Sequence, residues 1–232
     1  MVRFKQEQTI DGKVEVTGDG KVIISKADYE KLVNQASYDS LTGLLNKSRF
    51  EDQLKHDLSV ARRHVKNGGD PDNLVVMYFD LNGLKHVNDT YGHETGDDLL
   101  KTAADLIYHF LRRESDTVAR IGGDEFAAIL PQTDLEHAKY SAWKLQEGAK
   151  QLGVLVAVGM ASYKLSVEDP IKGDVYERPL DDVIHELKTK ADKAMYDNKG
   201  VTKQRLDVAH FYDQQYGKPS AEKRDLSAVY AA

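Results

Sequence analysis

Asp80 and the pair Asp124-Glu125 are the residues of this chain best suited to do chemistry. Asp80 closes Leu74 to Phe79 (LVVMYF), an apolar run of strand length. Asp124 and Glu125 follow Gly122-Gly123, a turn between two shorter apolar runs. Taken singly, Asp80 reads as a strand-end acid and Asp124 as a turn acid. Brought together, carboxylates are costly unless something neutralises them. A divalent cation does so, and Mg²⁺ prefers one or two carboxylates with phosphate oxygens and water. Two such cations can activate an attacking hydroxyl and stabilise a leaving pyrophosphate. The pattern points to metal-assisted chemistry on a nucleotide, provided the fold brings these acids to one place.

The periodicity says how it would. Phe50, Leu54, Leu58, Ala61 and Val65 fall at helical spacing, and Gly68-Gly69 stops that helix. Leu74–Phe79 is a central strand, and Leu99, Ala103, Leu106, Ile107 and Phe110 form the next helical stripe. Val118–Ile121 and Phe126–Leu130 are short strands about the Gly-Gly turn, where glycine allows positive φ and leaves room. Thr133 with Glu136 is a capping-box pattern opening a helix to about Gln151. Leu155–Ala161 is a further strand, and Val183, Ile184, Leu187, Ala191, Ala194 and Met195 mark the last helix. This order predicts an α+β fold, the β-α-β-β-α-β sheet of ferredoxin-like and polymerase-palm domains. In it the first two strands run parallel and the third lies between them, antiparallel to the first. Asp80 and Asp124 then share one sheet edge.

The bulk numbers suit such a domain. The chain has 232 residues, 41% apolar and 30% charged, enough for a buried core. A net charge of −6 speaks against a nucleic-acid-binding surface. No apolar run is long enough to span a membrane, and the N-terminus lacks a hydrophobic signal core. With no cysteine, disulfides and thiolate metal sites are excluded. A cytoplasmic protein is expected. Residues 1–36 read as an accessory piece: a hairpin of Val14, Val16, Val22, Ile23 and Ile24 about Gly18-Asp19-Gly20, then a helical stalk over 26–37. Residues 37–206 form the main domain, and 207–232 are a tail, with Phe211, Tyr212 and Tyr216, that packs on it or frays.

Arg120-Ile121-Gly122-Gly123-Asp124-Glu125-Phe126 resembles the motif of the GGDEF family, the diguanylate cyclases. Asp39–Asn46 (DSLTGLLN) resembles that family's opening motif. Phe79–Lys85 (FDLNGLK), with Asn88-Asp89, Gly92-His93 and Gly96-Asp97, resembles its substrate segment. Ala191–Tyr196 (ADKAMY), then Lys199, resembles its closing helix. The likeness covers roughly residues 37–206, in family order.

It implies that two GTP molecules are condensed to cyclic di-GMP across a homodimer, with Mg²⁺ or Mn²⁺, two per active site, as cofactor. Asp80 and Asp124, with the Leu81 backbone, would hold the metals, and Glu125 would assist near the ribose hydroxyl or metal. The backbone through Leu84 would cradle phosphates. Lys85 and Lys199 would neutralise them, with Lys203 or Arg205 as an outer cation. Asn88 and Asp97 would bond the guanine, whose N1–H and amine a carboxylate accepts together. Asp97 also suits the first turn of the following helix. Arg113 and Asp116, an R-x-x-D run nine residues ahead of Gly122, match the family's product-inhibition site and equally a charged helix end. Lys144 falls near where the family often adds an arginine and would grip product less well.

Three departures stand out. The segment Leu145–Ala161 is short, so a family hairpin is trimmed. Tyr163–Asp181 is long and reads as a surface loop, and Lys203-Gln204 replaces the usual Arg-Asn. The segment before Asp39 has no room for an ordinary sensor domain. The competing readings are a catalytically weak domain that binds GTP or cyclic di-GMP as a regulatory module, and a nucleotidyl cyclase with relaxed base choice.

Overall fold

Short polar residues begin most helices of the protein, as seen in a computed structural model. It describes residues 15–16, 22–69, 72–111, 113–165, 178–205 and 207–217. Ser25 caps α1 (Lys26–Ser37), Asn46 caps α2 (Lys47–Lys66), Asp134 caps α5 (Leu135–Gln151) and Asp207 caps α7 (Val208–Tyr216), each accepting from a first-turn N–H. Asp134 therefore replaces the expected Thr133–Glu136 box. The Thr133 hydroxyl is turned away, donating to the Pro131 carbonyl at 3.0 Å. Glycine opens the other two helices of the middle segment. α3 (Leu84–Tyr91) starts at Gly83, φ 85°, and α4 (His93–Phe110) starts at Gly92, φ 90°. α3 was not read from the sequence.

β1 (Glu15–Val16) pairs antiparallel with β2 (Val22–Ile23), as the expected hairpin requires; its Gly18-Asp19-Gly20 turn and Val14 lie outside the described residues. β3 (Leu45–Asn46), β4 (Asp72–Leu81), β5 (Thr117–Arg120), β6 (Glu125–Pro131) and β7 (Val156–Leu165) make one sheet in the order β3-β5-β6-β4-β7. β6 lies between β4 and β5 and is antiparallel to both. This is the expected split arrangement, with β3 added at one edge.

Alternation along β4 sorts the core. Val75, Met77, Phe79 and Leu81 face α3, α4, α5 and α7. Leu74, Val76 and Tyr78 face α2 and α6 (Leu180–Arg205). Asp80 continues the second set, toward α6. β7 runs to Leu165, so Tyr163–Leu165 is strand rather than loop; residues 166–177 lie outside the described residues. Only Leu152–Leu155 link α5 to β7, so the shortened connection holds no hairpin. The tail is partly core: Tyr212 on α7 is 0% exposed. By contrast α1 buries no residue, and Leu32 and Val33 are exposed. Among the described residues, no helix is long and apolar enough to cross a membrane.

Candidate functional site

The sheet register carries the site. Asp80, the ninth residue of β4, lies directly opposite Glu125, the first residue of β6. One step on, the Leu81 N–H donates to the Asp124 carbonyl at 2.9 Å. The two segments that hold the acids are thus stitched by main-chain bonds. Asp80 is 4% exposed, and Lys199 on α6 donates to its Oδ2 at 2.6 Å. Burying that carboxylate needs such a partner. The carboxyl of Glu125 is pushed upward, first by burial, then by Asp124, Asp80 and Asp192, with Lys199 opposing. Glu125 therefore holds a proton more readily than an exposed glutamate.

The turn that presents Asp124 and Glu125 is held from outside. Arg120 donates to the Gly123 carbonyl through Nε at 3.2 Å and Nη2 at 2.7 Å. Its Nη1 reaches Asp39 Oδ1 at 3.1 Å. Asp39 also accepts from the Thr42 N–H and hydroxyl, at 2.9 and 2.7 Å. Burial would raise the Asp39 carboxyl, but the Thr42 bonds and Arg120 outweigh it and hold it below the usual range. Sequence reading placed Asp39 and Arg120 inside motifs and gave neither a role. Of the two uses expected of the turn glycines, positive φ is absent and room is present. Neither Gly122 nor Gly123 has positive φ. Gly122 is instead a matter of space, since a Cβ there would lie 2.9 Å from Glu125 Oε2.

The α3–α4 corner follows β4 directly in the chain. Gly83 turns the chain left-handed after Leu81-Asn82, so α3 begins at Leu84, and the first N–H groups of a helix have no partner within it. Lys85 is exposed in that first turn. Asn88 is half-buried, and a Cβ at Gly96 would fall 1.8 Å from its Oδ1. Gly96 thus makes the space the Asn88 amide occupies. Asp97 is exposed on α4, whose first-turn acid is Glu94. The helix-end role considered for Asp97 falls to Glu94. Lys203 and Arg205 are on α6, and their side chains lie outside the described residues.

The donors near Asp80 are hard oxygens: two carboxylates and the main chain of Leu81. Among the described residues no group of three or more His, Cys, Asp or Glu side chains could cage a metal. Such a set fits a cation of the Mg²⁺ or Mn²⁺ kind, which takes the rest of its shell from ligand and water.

Arg113 and Asp116 lie elsewhere, beyond α4. Arg113 Nη2 donates to Asp116 Oδ1 at 2.9 Å and also contacts the Thr133 hydroxyl. They border an open cavity of about 570 Å³ with Gln132, His137, Tyr140 and Ser141. Lys144 does not line it; its ammonium sits 5.5 Å above the Tyr140 ring. The R-x-x-D pair is brought together, and Lys144 stands over Tyr140, which lines the same cavity.

Comparison with known proteins covers this whole region. The family model described as "Diguanylate cyclase, GGDEF domain" matches residues 36–205. The chain is 37% identical over 142 residues to the probable diguanylate cyclase DgcE of Escherichia coli, covering 59% of this chain and 12% of that protein. It is 29% identical over 223 residues to the diguanylate cyclase DgcP of Pseudomonas aeruginosa, covering 88% of this chain and 30% of that one. The chain thus spans less than a third of either relative. Among solved structures, the GGDEF domain of TpbB from Pseudomonas aeruginosa superposes with a TM-score of 0.54 at 31% identity, covering 73% of this chain and 90% of that one.

Proposed function

The chain belongs to the GGDEF family of diguanylate cyclase domains, and from that membership we propose that it condenses two GTP molecules into cyclic di-GMP and two pyrophosphates. The observation that carries the reading is the pairing of Asp80 with Glu125 across the β4–β6 ladder, with Asp124 bonded to Leu81 one step on. It sets Asp80 beside Glu125 and within reach of Lys199, an arrangement of acids suited to a cation and of a lysine suited to phosphate.

In this reading α3 and α4 hold one GTP per domain. Asn88 and Asp97 take the guanine edge, and the main chain at Leu84 takes phosphate oxygens, as helix N-termini do. Lys85 and Lys199 offset phosphate charge. Asp80, Asp124 and the Leu81 carbonyl hold Mg²⁺ or Mn²⁺, which supplies charge neutralisation and a more acidic ribose hydroxyl. Two domains face each other as a homodimer. The 3′-oxygen of each GTP bonds to the α-phosphorus of the other while the bond to the β-phosphate oxygen breaks. The hydroxyl proton passes to a nearby base. Glu125 is suited to that role, because its raised carboxyl lies closer to neutrality than an exposed glutamate. The cavity beside Arg113 and Asp116 is the place for cyclic di-GMP to bind and restrain turnover.

The test is direct. The purified chain is incubated with Mg²⁺ and GTP, and with GTP plus ATP, and products are identified by mass. Cyclic di-GMP is expected from the parent and not from Asp124→Ala. Specific activity should rise with protein concentration, as a homodimer requires. No dinucleotide at high protein concentration would leave the regulatory-module reading in its place.

A further inference from the structure

The family match ends at residue 205, and α7 begins at Val208. Nothing in the motifs assigns this helix a task, yet it packs against α3 and the turn that opens it. Tyr212 is fully buried, and its hydroxyl accepts from the Leu155 N–H at 3.2 Å. The carbonyl of the same Leu155 accepts from the Asn82 N–H at 2.8 Å. One residue of the sheet edge thus joins α7 to the turn that leads into α3. The turn itself rests on α7: a Cβ on Gly83 would lie 2.5 Å from the Tyr212 ring and 2.6 Å from the Val208 side chain. Glycine is needed there for its φ of 85° and for the closeness of α7.

The far end of α3 is tied as well. Asp213 Oδ1 accepts from the Tyr91 hydroxyl at 2.6 Å and bonds His86 Nε2 at 2.8 Å. Tyr91 in turn packs on Tyr216, with ring centres 5.4 Å apart. α3 is therefore held at Gly83 just before its start, at His86 and at its last residue by a single nine-residue helix. Between those points it carries Lys85 and Asn88.

We propose that α7 is a working part of the nucleotide site, with Tyr212 and Asp213 as positioning residues that set α3 and its opening turn in the place where they grip the nucleotide. Neither side chain touches the nucleotide. They act by removing the freedom of α3 to swing away from the sheet, which would otherwise be lost on binding. The proposal rests on the reading that α3 and the Gly83–Leu84 turn hold GTP.

The experiment uses the full chain and 3′-deoxy-GTP, which lacks the attacking hydroxyl and so reports binding alone. Its affinity in the presence of Mg²⁺ is measured by calorimetry, beside steady-state turnover of GTP. Asp213→Ala and Tyr91→Phe both remove the Tyr91–Asp213 bond, and Asp213→Ala removes the His86 contact as well. Each is expected to weaken 3′-deoxy-GTP about tenfold and to raise KM by a similar factor, while kcat stays within about twofold, since an interaction that only pre-forms the site acts on binding. The double variant should be no worse than Asp213→Ala alone. Lys139→Ala on α5, which breaks an exposed pair with Glu136, should change nothing. Unfolding midpoints are taken for all variants. Tyr91→Phe alters no packing volume and keeps the test open if Asp213→Ala folds poorly. Unchanged affinity and KM in folded variants of a parent that does bind 3′-deoxy-GTP overturns the proposal and leaves the functional reading standing. A parent that binds no 3′-deoxy-GTP overturns both.

Discussion

Gly159→Ala tests whether α6, which carries Lys199, is held at main-chain distance from the sheet. Gly159 lies in β7 under α6, and an added Cβ would sit 2.0 Å from the Met195 N and 2.3 Å from the Ala191 carbonyl oxygen. Both are backbone atoms, so no rotamer change gives relief. Moving from 2.0 Å to the 3.4 Å at which ordinary contact begins requires the helix to withdraw by about 1.4 Å. Overpacking of this kind costs roughly 1–3 kcal/mol, and a clash with two main-chain atoms belongs at the upper end. For a domain of this size each kcal/mol lowers Tm by about 2–4 °C, so a fall of roughly 6–12 °C is expected by calorimetry. The functional consequence follows from the same displacement. Lys199 is one turn beyond Met195, and its 2.6 Å bond to Asp80 would stretch to about 4 Å. If the proposed chemistry holds, loss of one charge-assisted bond is enough for a drop in turnover of about tenfold or more. Gly200→Ala is the control in the same helix. Nothing lies within 4 Å of a Cβ there, and alanine is the better helix former, so Tm should rise slightly. A Gly159→Ala protein that melts within 2 °C of the parent, to within about 1 kcal/mol, would refute the claimed closeness of α6 and β7.

The raised carboxyl of Glu125 favours the folded state below its unfolded value, and that contribution is lost as pH rises through the folded value. Glu125→Gln should therefore raise the Tm of metal-free protein at about pH 7 and change little at about pH 4, while abolishing dinucleotide synthesis. Asp39 has the opposite sign: its stabilisation is present above the ordinary carboxylate value and is lost as pH falls through the lowered one. Asp39→Asn should cost on the order of 1 kcal/mol at neutral pH in urea unfolding, and the deficit should vanish in acid. Arg113→Ala should weaken cyclic di-GMP binding at least about tenfold in calorimetry and leave turnover at low product undiminished; unchanged product affinity would remove the role given to that cavity.

The sheet and its paired acids were legible because apolar runs, a Gly-Gly turn and strand order all act through short-range rules. They place Asp80 and Asp124 at one sheet edge; the register that sets Glu125 opposite Asp80 came only from the structure. α3 was missed because it has neither a side-chain cap nor a broad apolar stripe; Val87 is its one buried residue. Its start is set by a left-handed glycine and its end is shared with the next helix. The Thr133 box failed because Thr133 and Asp134 are both capping types, and the contact with Arg113 decides between them. The role of α7 could not be read, since Phe211, Tyr212 and Tyr216 say only that something apolar is covered. Gly159 did carry a signal: glycine inside a strand pattern often marks the close approach of another backbone.

The bond between Asp39 and Arg120 spans 81 positions of sequence and has a mechanical meaning. α1 ends at Ser37, and only Tyr38 separates it from Asp39. Asn46 also donates to the Ala36 carbonyl at 2.8 Å, which pins the end of α1 to the start of α2. The end of α1, Asp39, the Arg120 guanidinium and the Gly123 carbonyl next to Asp124 thus form one unbroken series of covalent and hydrogen-bonded links, a tie-rod between the first helix and the acidic turn.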